Sequence, residues 1–106
     1  MKTMQLKDMT LGWFIGDFSP SILRTPQFEV ACKDYLTVER ENRHVHQIAR
    51  EVTLIVRGRV RMNEQEFCTG DIVLLDPGEP TDFIVLEDTV TVVVKVPSVF
   101  GDKYSA

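Results

Sequence analysis

The chain has 106 residues, of which 43% are apolar and 26% are charged, and its formal net charge is −4. This length accommodates one domain, and the apolar fraction excludes a disordered chain. No long uncharged run would span a membrane, and a pI near 5.1 argues against a protein that binds nucleic acid through phosphate contacts. Two cysteines are too few for a disulfide scaffold, and the first residues lack a secretion signal. Composition therefore predicts a small cytoplasmic domain without a nucleic acid or membrane partner.

The residue pattern predicts β-structure along most of the chain. It contains 14 Val, 6 Ile and 9 Thr, whose branched side chains suit a pleated surface better than a helix. No run of 11 or more residues has apolar positions at helical spacing. Short apolar runs at 27–32, 52–56, 60–62, 67–68, 72–75, 83–86 and 89–96 are separated by predicted turns, including 57–59, 63–64, 76–80 and 87–88. Strands that recur every 8 to 12 residues are typical of a sandwich or barrel.

Two of the predicted strands are apolar on both faces. In residues 52–56 and 91–96 nearly every position is apolar, whereas a strand with one face in water would alternate with polar residues. The second face therefore needs a cover. The aromatic stretch 13–18 of the same chain is one candidate, and a second copy of the chain is the other. Because a short barrel has little chain to spare, we expect a homodimer.

Candidate ligands for a metal begin at His44-Val45-His46, the only two histidines of the chain. On a strand, residues i and i+2 point to the same side, so the two imidazoles form a pair of nitrogen ligands. Glu51 has the opposite parity and joins them only if the chain turns between 47 and 50. Two histidines and one carboxylate with open positions suit divalent Fe, Mn, Ni, Co or Zn. Histidines in a polar surface turn are the alternative.

The spacing of these residues resembles the first motif of the cupin superfamily. That motif here comprises His44, His46, Glu51 and Gly58, and part of the second motif is found in residues 70–83, from Gly-Asp through the Pro-Gly turn. The resemblance covers about residues 28–96. It implies an all-β, single-domain, double-stranded β-helix, or jelly-roll barrel, that is often dimeric. The whole chain, 1–106, would form this domain, with segment 1–27 packing on the barrel or on a dimer partner.

The resemblance also implies the metal ligands His44, His46 and Glu51, but the chain departs from the motifs. Thr81 falls where a fourth ligand, a histidine, is usual. Val38 replaces the opening glycine, and Val85 replaces an asparagine. Three alternatives follow. Three protein ligands and water hold a metal, an oxygen of one nearby acidic residue completes the site, or the site is degenerate and metal-free. The acidic candidates are Asp76, Glu79 and Asp82.

The resemblance is less informative about function, because cupins include enzymes and binding modules. We expect a small polar ligand, such as a carbohydrate, in a pocket near Thr53, Thr81, Asp82 and Phe83. If a metal is bound, the ligand would occupy the open coordination positions of that metal, whether or not the protein is an enzyme. The alternative is a metal-free, non-catalytic ligand-binding cupin. No residue in the sequence identifies a catalytic base or a substrate.

Overall fold

The computed structural model describes all 106 residues as an all-β protein with one short 3₁₀ turn at Leu6–Asp8. The strands are β1 (Trp13–Ile15), β2 (Glu29–Tyr35), β3 (Arg40–Val45), β4 (Arg50–Met62), β5 (Gln65–Cys68), β6 (Ile72–Leu75), β7 (Thr81–Val96) and β8 (Tyr104–Ser105). Each strand pair is antiparallel. The chain forms no helix of the length and apolar character needed to cross a bilayer.

Two long strands, β4 and β7, connect the two halves of the barrel. They pair with each other along most of their length. The first part of β7 also pairs with β3 and the second part with β2, while β4 pairs with β6 near its start and with β5 near its end. One half therefore contains β1, β2 and β6, and the other contains β3, β5 and β8. This arrangement confirms the predicted jelly-roll architecture.

The predicted turns at 57–59 and 87–88 are wrong, because β4 and β7 continue through both. Both positions are bends where the register of this strand pair shifts. Gly58 has φ +109°, and a Cβ there would lie 2.3 Å from the hydroxyl oxygen of Thr89. That hydroxyl accepts the backbone N–H of Arg59 at 3.2 Å. A glycine and a buried hydroxyl thus allow each strand to pass between the two halves without ending.

The main apolar core draws side chains from both halves of the barrel. It consists of Ile55, Val60, Met62, Leu75, Phe83 and Val85. Toward the start of β4 and the end of β7 the inward side chains become polar, with Thr53 and Thr91 both buried. A fold that buries polar side chains must supply hydrogen-bond partners or ligands for them. This end of the barrel is therefore the place to look for a functional site.

The N-terminal segment packs on the barrel of its own chain. β1 adds to the edge of β2, where Trp13 lies opposite Ala31. Phe14 and Cys32 contribute to a small apolar depression that the segment closes, together with Met4, Leu6, Met9 and Ile22. The outer face of β2 is thus covered internally. The outer face of β4 and β6 is not, and Val56, Ile72 and Leu74 there are exposed.

The C-terminal residues return to the loop that joins β3 to β4. Asp102 is buried, although most of its neighbours in sequence are exposed. Its carboxylate accepts the backbone N–H groups of Gln47 at 2.9 Å, Ile48 at 3.2 Å and Ala49 at 2.8 Å. Burial opposes ionisation of Asp102, but these donors outweigh it and hold its pKa below the usual value. One carboxylate therefore satisfies three consecutive N–H groups of the β3–β4 loop.

We expect Asp102→Asn to lower the free energy of unfolding by about 2 kcal/mol, because an amide has only one acceptor oxygen and leaves a buried N–H unpaired. Urea denaturation at pH 7 measures this. Asp34→Asn is the control, since Asp34 is exposed and its side chain makes no hydrogen bond, and its effect should stay within about 0.5 kcal/mol.

The difference in the free energy of unfolding between the wild type and Asp102→Asn should decrease at low pH. Because the folded pKa of Asp102 is depressed, its stabilisation is present above the unfolded pKa of about 3.9 and is lost as pH falls through the folded value. Equal stability of wild type and Asp102→Asn at pH 7 would contradict this assignment.

Candidate metal centre

The three predicted metal ligands converge at the polar end of the barrel. His44 lies near the end of β3, His46 directly follows that strand, and Glu51 is the second residue of β4. Their ligand atoms all lie within 4.8 Å of one another. Glu51 reaches the histidines because the loop held by Asp102 bends the chain after His46. The turn that the difference in parity required between residues 47 and 50 is present.

Both imidazoles are oriented by backbone carbonyl groups. Nδ1 of His44 lies 2.8 Å from the carbonyl oxygen of Asn42, and Nδ1 of His46 contacts the carbonyl oxygen of Asp102. A carbonyl oxygen only accepts, so each Nδ1 donates. In the neutral tautomer each Nε2 therefore carries a lone pair. This arrangement, with Nδ1 on a backbone oxygen and Nε2 free, is typical of metal-ligating histidines.

The contact between His46 and Glu51 indicates whether the cluster fits a metal ion. Nε2 of His46 and Oε2 of Glu51 are 2.7 Å apart, and both side chains are largely buried. Neither atom has a partner with hydrogen-bond geometry. Two electron-pair donors this close repel unless a proton or a cation lies between them. The donor set, two nitrogens and a carboxylate oxygen, suits a divalent transition metal. These residues therefore fit a metal ion.

Without a metal, a proton fulfils the same role. The Glu51 carboxylate raises the pKa of His46, against the opposing effect of burial, and the Asp102 carbonyl adds to this rise. Burial works against the ionised form of Glu51, but His46 and the charge of Lys95 outweigh it and lower its pKa. The cluster thus favours an imidazolium beside a carboxylate.

The cluster opens into a cavity of about 310 Å³. Its lining is mixed, with aromatic and ionisable side chains, among them Trp13, Phe18, Glu29, Lys33, Tyr35, Glu41, Lys95 and Lys103. The hydroxyl of Tyr35 donates to Glu41 at 3.2 Å, and burial, followed by the charge of Glu41, raises its pKa. Tyr35 therefore stays a neutral donor. The size is at the lower end of the range for ligand sites, so a small molecule fits.

Two of the four predicted pocket residues line this cavity, and two do not. Thr53 and Phe83 line it. Thr81 pairs in register with His44, but its hydroxyl donates to the carbonyl oxygen of Asp82 at 2.7 Å. The carboxylate of Asp82 accepts the backbone N–H of Asn63 at 2.8 Å, in an exposed turn. Thr81 therefore lies beside His44 with its hydroxyl bonded to the backbone, and the Asp82 carboxylate is bonded in the turn.

The other acidic candidates for a fourth ligand are also placed elsewhere. Asp76 forms an ion pair with Arg50 at 2.9 Å, and Glu79 accepts the backbone N–H of Asp76 at 3.1 Å. Both are exposed in the turn after β6. This turn still contacts the cluster, since the N–H of Gly78 donates to the carbonyl oxygen of His46 at 2.7 Å. Only three protein ligands converge.

Three residues near the cluster were not identified from the sequence. Asp102 acts through contacts more than 50 residues away in the chain, and no local pattern indicates them. Lys33 and Lys95 line the cavity beside Trp13. The sequence pattern gives one indication for Lys95, because a lysine inside the apolar run 92–96 is unusual at a buried position. Its partners, however, depend on which strands lie beside it.

No protein-family model matches the chain, and no curated protein matches it. Solved structures do. A protein with a double-stranded β-helix domain from Klebsiella pneumoniae is 21% identical, with a TM-score of 0.71 over 80% of this chain and 75% of that chain. An RmlC-like cupin from Shewanella frigidimarina is 12% identical, with a TM-score of 0.67 over 72% and 71% of the two chains. A bacterial pirin from Escherichia coli, in complex with nickel(II), is 22% identical, with a TM-score of 0.66 over 82% of this chain and 39% of that chain.

These similarities are too low in sequence identity to transfer a function, but they agree on architecture. Together with the antiparallel two-halved barrel, they confirm the predicted fold. The chain has the double-stranded β-helix fold of the cupins.

Proposed function

We propose that this protein binds a divalent transition metal through His44, His46 and Glu51, and a small polar ligand in the adjoining cavity. The observation that carries the proposal is the 2.7 Å contact between Nε2 of His46 and Oε2 of Glu51, two largely buried ligand atoms that need a proton or a cation between them. A metal bound by both atoms would remove their repulsion. Nε2 of His44 supplies the third ligand.

The protein's own residues prepare the site for this role. Backbone carbonyls hold both imidazoles in one orientation, and Asp102 holds the loop that brings Glu51 to them. Such preorganisation lowers the ordering cost of binding. When bound, the metal would supply a Lewis acid toward a ligand oxygen at its open positions. Tyr35 remains a neutral hydrogen-bond donor on the cavity wall, and Phe83 contributes apolar surface.

We expect chelator-treated protein without a histidine tag to bind one Ni²⁺ or Zn²⁺ ion per chain in a calorimetric titration. His46→Gln and Glu51→Gln should each lower the affinity by at least about a hundredfold, because each removes a direct ligand. Glu29→Gln is the matched control. Glu29 also lines the cavity and also lies beside Lys95, but outside the cluster, so its affinity should stay within about threefold.

Metal binding should also release a proton from His46. Because Glu51 raises the pKa of His46, the metal displaces a proton, and the measured binding enthalpy should vary with the ionisation enthalpy of the buffer. The number of protons released on metal binding should increase as the pH falls from 8 to 6, and the metal affinity should fall over the same range. A metal affinity unchanged by His46→Gln and Glu51→Gln would support the metal-free alternative.

We expect Thr81→His to raise the metal affinity, by about tenfold or more. Thr81 lies directly across the strand pair from His44, so its side chain is on the same face, and an imidazole there adds a nitrogen ligand. Thr81→Val, which loses the hydroxyl but adds no ligand, is the control and should leave the affinity within about twofold. Calorimetric titration measures the metal affinities of the wild type and the two variants. Equal affinity in all three would mean that residue 81 does not reach the cluster.

We also propose that the protein is a homodimer. The support is the outer face of β4 and β6, where Ile72 and Leu74 are 68% and 54% exposed beside Val52 and Leu54 on the neighbouring strand. Exposed apolar side chains on neighbouring strands favour burial against a second copy. We expect light scattering to give a mass of about 24 kDa at tens of micromolar, and Leu74→Lys to give about 12 kDa. Wild-type protein at about 12 kDa would contradict the dimer.

A further inference from the structure

Two lysines form an unpaired basic group in the cavity, outside the metal cluster. The Nζ atoms of Lys33 and Lys95 each lie 5.1 Å from the centre of the Trp13 ring. Neither lysine belongs to any of the chain's ion pairs. Both side chains are half-buried, and burial lowers the pKa of Lys33. An ammonium ion that has lost part of its hydration gains by binding an anion.

Strand register explains why the two lysines face the same space. Lys33 and Glu29 lie on the same face of β2, two residues either side of Ala31, which is opposite Trp13 on β1. Lys95 on β7 lies opposite Glu29 on one side and opposite Glu51 on the other. The basic group and Glu51 therefore share one face of three adjacent strands, and the basic group lines the same cavity as the His44–His46–Glu51 cluster.

A buried hydroxyl without a partner lies beside Lys33. Thr91 is 1% exposed, lines the cavity and is the cross-strand neighbour of Lys33. Its Oγ1 makes no hydrogen bond to the protein. A buried hydroxyl left without a partner costs free energy, which a bound acceptor would recover. This observation is independent of the lysine charges and also indicates a ligand atom that accepts hydrogen bonds.

Most other charged groups of the cavity have partners of their own. Asp17 is paired with Arg24 at 3.2 Å, Glu41 with Lys103 at 3.3 Å and Glu51 with His46 at 2.7 Å, and the carboxylate of Asp102 accepts backbone N–H groups. Glu29 lies opposite Lys95 on the neighbouring strand but forms no ion pair. Lys33 and Lys95 are therefore the ammonium groups of this cavity that no carboxylate contacts, and a metal bound at the cluster would make the cavity more positive.

We propose that Lys33, Lys95 and Thr91 form an oxyanion subsite, so that the ligand is a small molecule with a carboxylate or similar oxyanion at one end. Its other end would reach the His44–His46–Glu51 cluster. The assignment of that second end rests on the proposed metal site, whereas the oxyanion subsite does not. The cavity volume of about 310 Å³ limits the ligand to a small metabolite.

Trp13 makes the subsite measurable, because it is the only tryptophan of the chain and lies beside both ammonium groups. Metal-free protein is titrated with malonate and, separately, with inorganic phosphate at constant ionic strength, and the Trp13 emission is followed. Malonamide, which has the shape of malonate without its charge, is the ligand control. We expect saturable binding of at least one anion and none of malonamide. The preferred anion then distinguishes a carboxylate from a phosphate.

Lys33→Met and Lys95→Met should each weaken anion binding by about tenfold, and Thr91→Val by about threefold, because each removes one donor to a charged group. Calorimetry gives the affinities of the variants, since each lysine change also alters the surroundings of Trp13. Lys7→Met is the control. It removes the same positive charge from an exposed lysine that does not line the cavity, so its affinity should stay within about twofold.

Circular dichroism establishes that each variant is folded. The three substitutions, one on β2 and two on β7, each remove one donor of the subsite and so test the donors independently. The absence of saturable anion binding by the metal-free wild type would overturn the proposal. So would anion binding that requires added metal and is unaffected by Lys33→Met and Lys95→Met, because the anion would then bind the metal alone. Failure of metal binding with lysine-dependent anion binding intact would overturn only the proposed metal site.

Discussion

The site depends on the contact between the Asp102 carboxylate and three consecutive N–H groups of the β3–β4 loop. His46 and Glu51 are five residues apart and would face opposite sides of one continuous strand. The loop bends the chain between them, and its N–H groups, which are partly or fully buried, are paired with an acceptor outside the loop. The Asp102 carboxylate supplies these acceptors, and its backbone carbonyl orients His46. The convergence of the three candidate metal ligands is therefore maintained by a residue more than 50 positions away in the sequence.

The barrel combines this polar site with a conventional apolar core because β4 and β7 run through both halves. At one end their inward side chains are Ile55, Val60 and Val85, which pack together. At the other end the same strands present Glu51 and Lys95. The bends at Gly58 and Thr89 carry both strands from one half to the other without interrupting the strand pair. One end therefore stabilises the fold through burial, which leaves the other free to hold charged groups around a cavity.

Charge in the cavity follows from strand order. Glu29, Lys95 and Glu51 lie in one row across β2, β7 and β4, so that a lysine separates two carboxylates. Lys95 lowers the pKa of Glu51 and also faces Trp13. It therefore belongs to the surroundings of the metal cluster and to the basic group with Lys33. A ligand with one anionic end and one metal-ligating end would make use of both.

Alternation and turn residues along the sequence determined the all-β class, because both are local properties of the chain. The jelly-roll architecture and the His44–His46–Glu51 set were implied by the resemblance of two local motifs to those of the cupins. The sequence did not distinguish a bend from a turn at residues 57–59, since a glycine between apolar runs is compatible with both. Only the tertiary structure decided that Asp102 holds the loop, that the Thr81 hydroxyl bonds the carbonyl oxygen of Asp82, and that Lys33 and Lys95 both lie at Trp13. The physical reason is that these relations depend on register between strands far apart in sequence, and a shift of one residue would move each side chain to the opposite face.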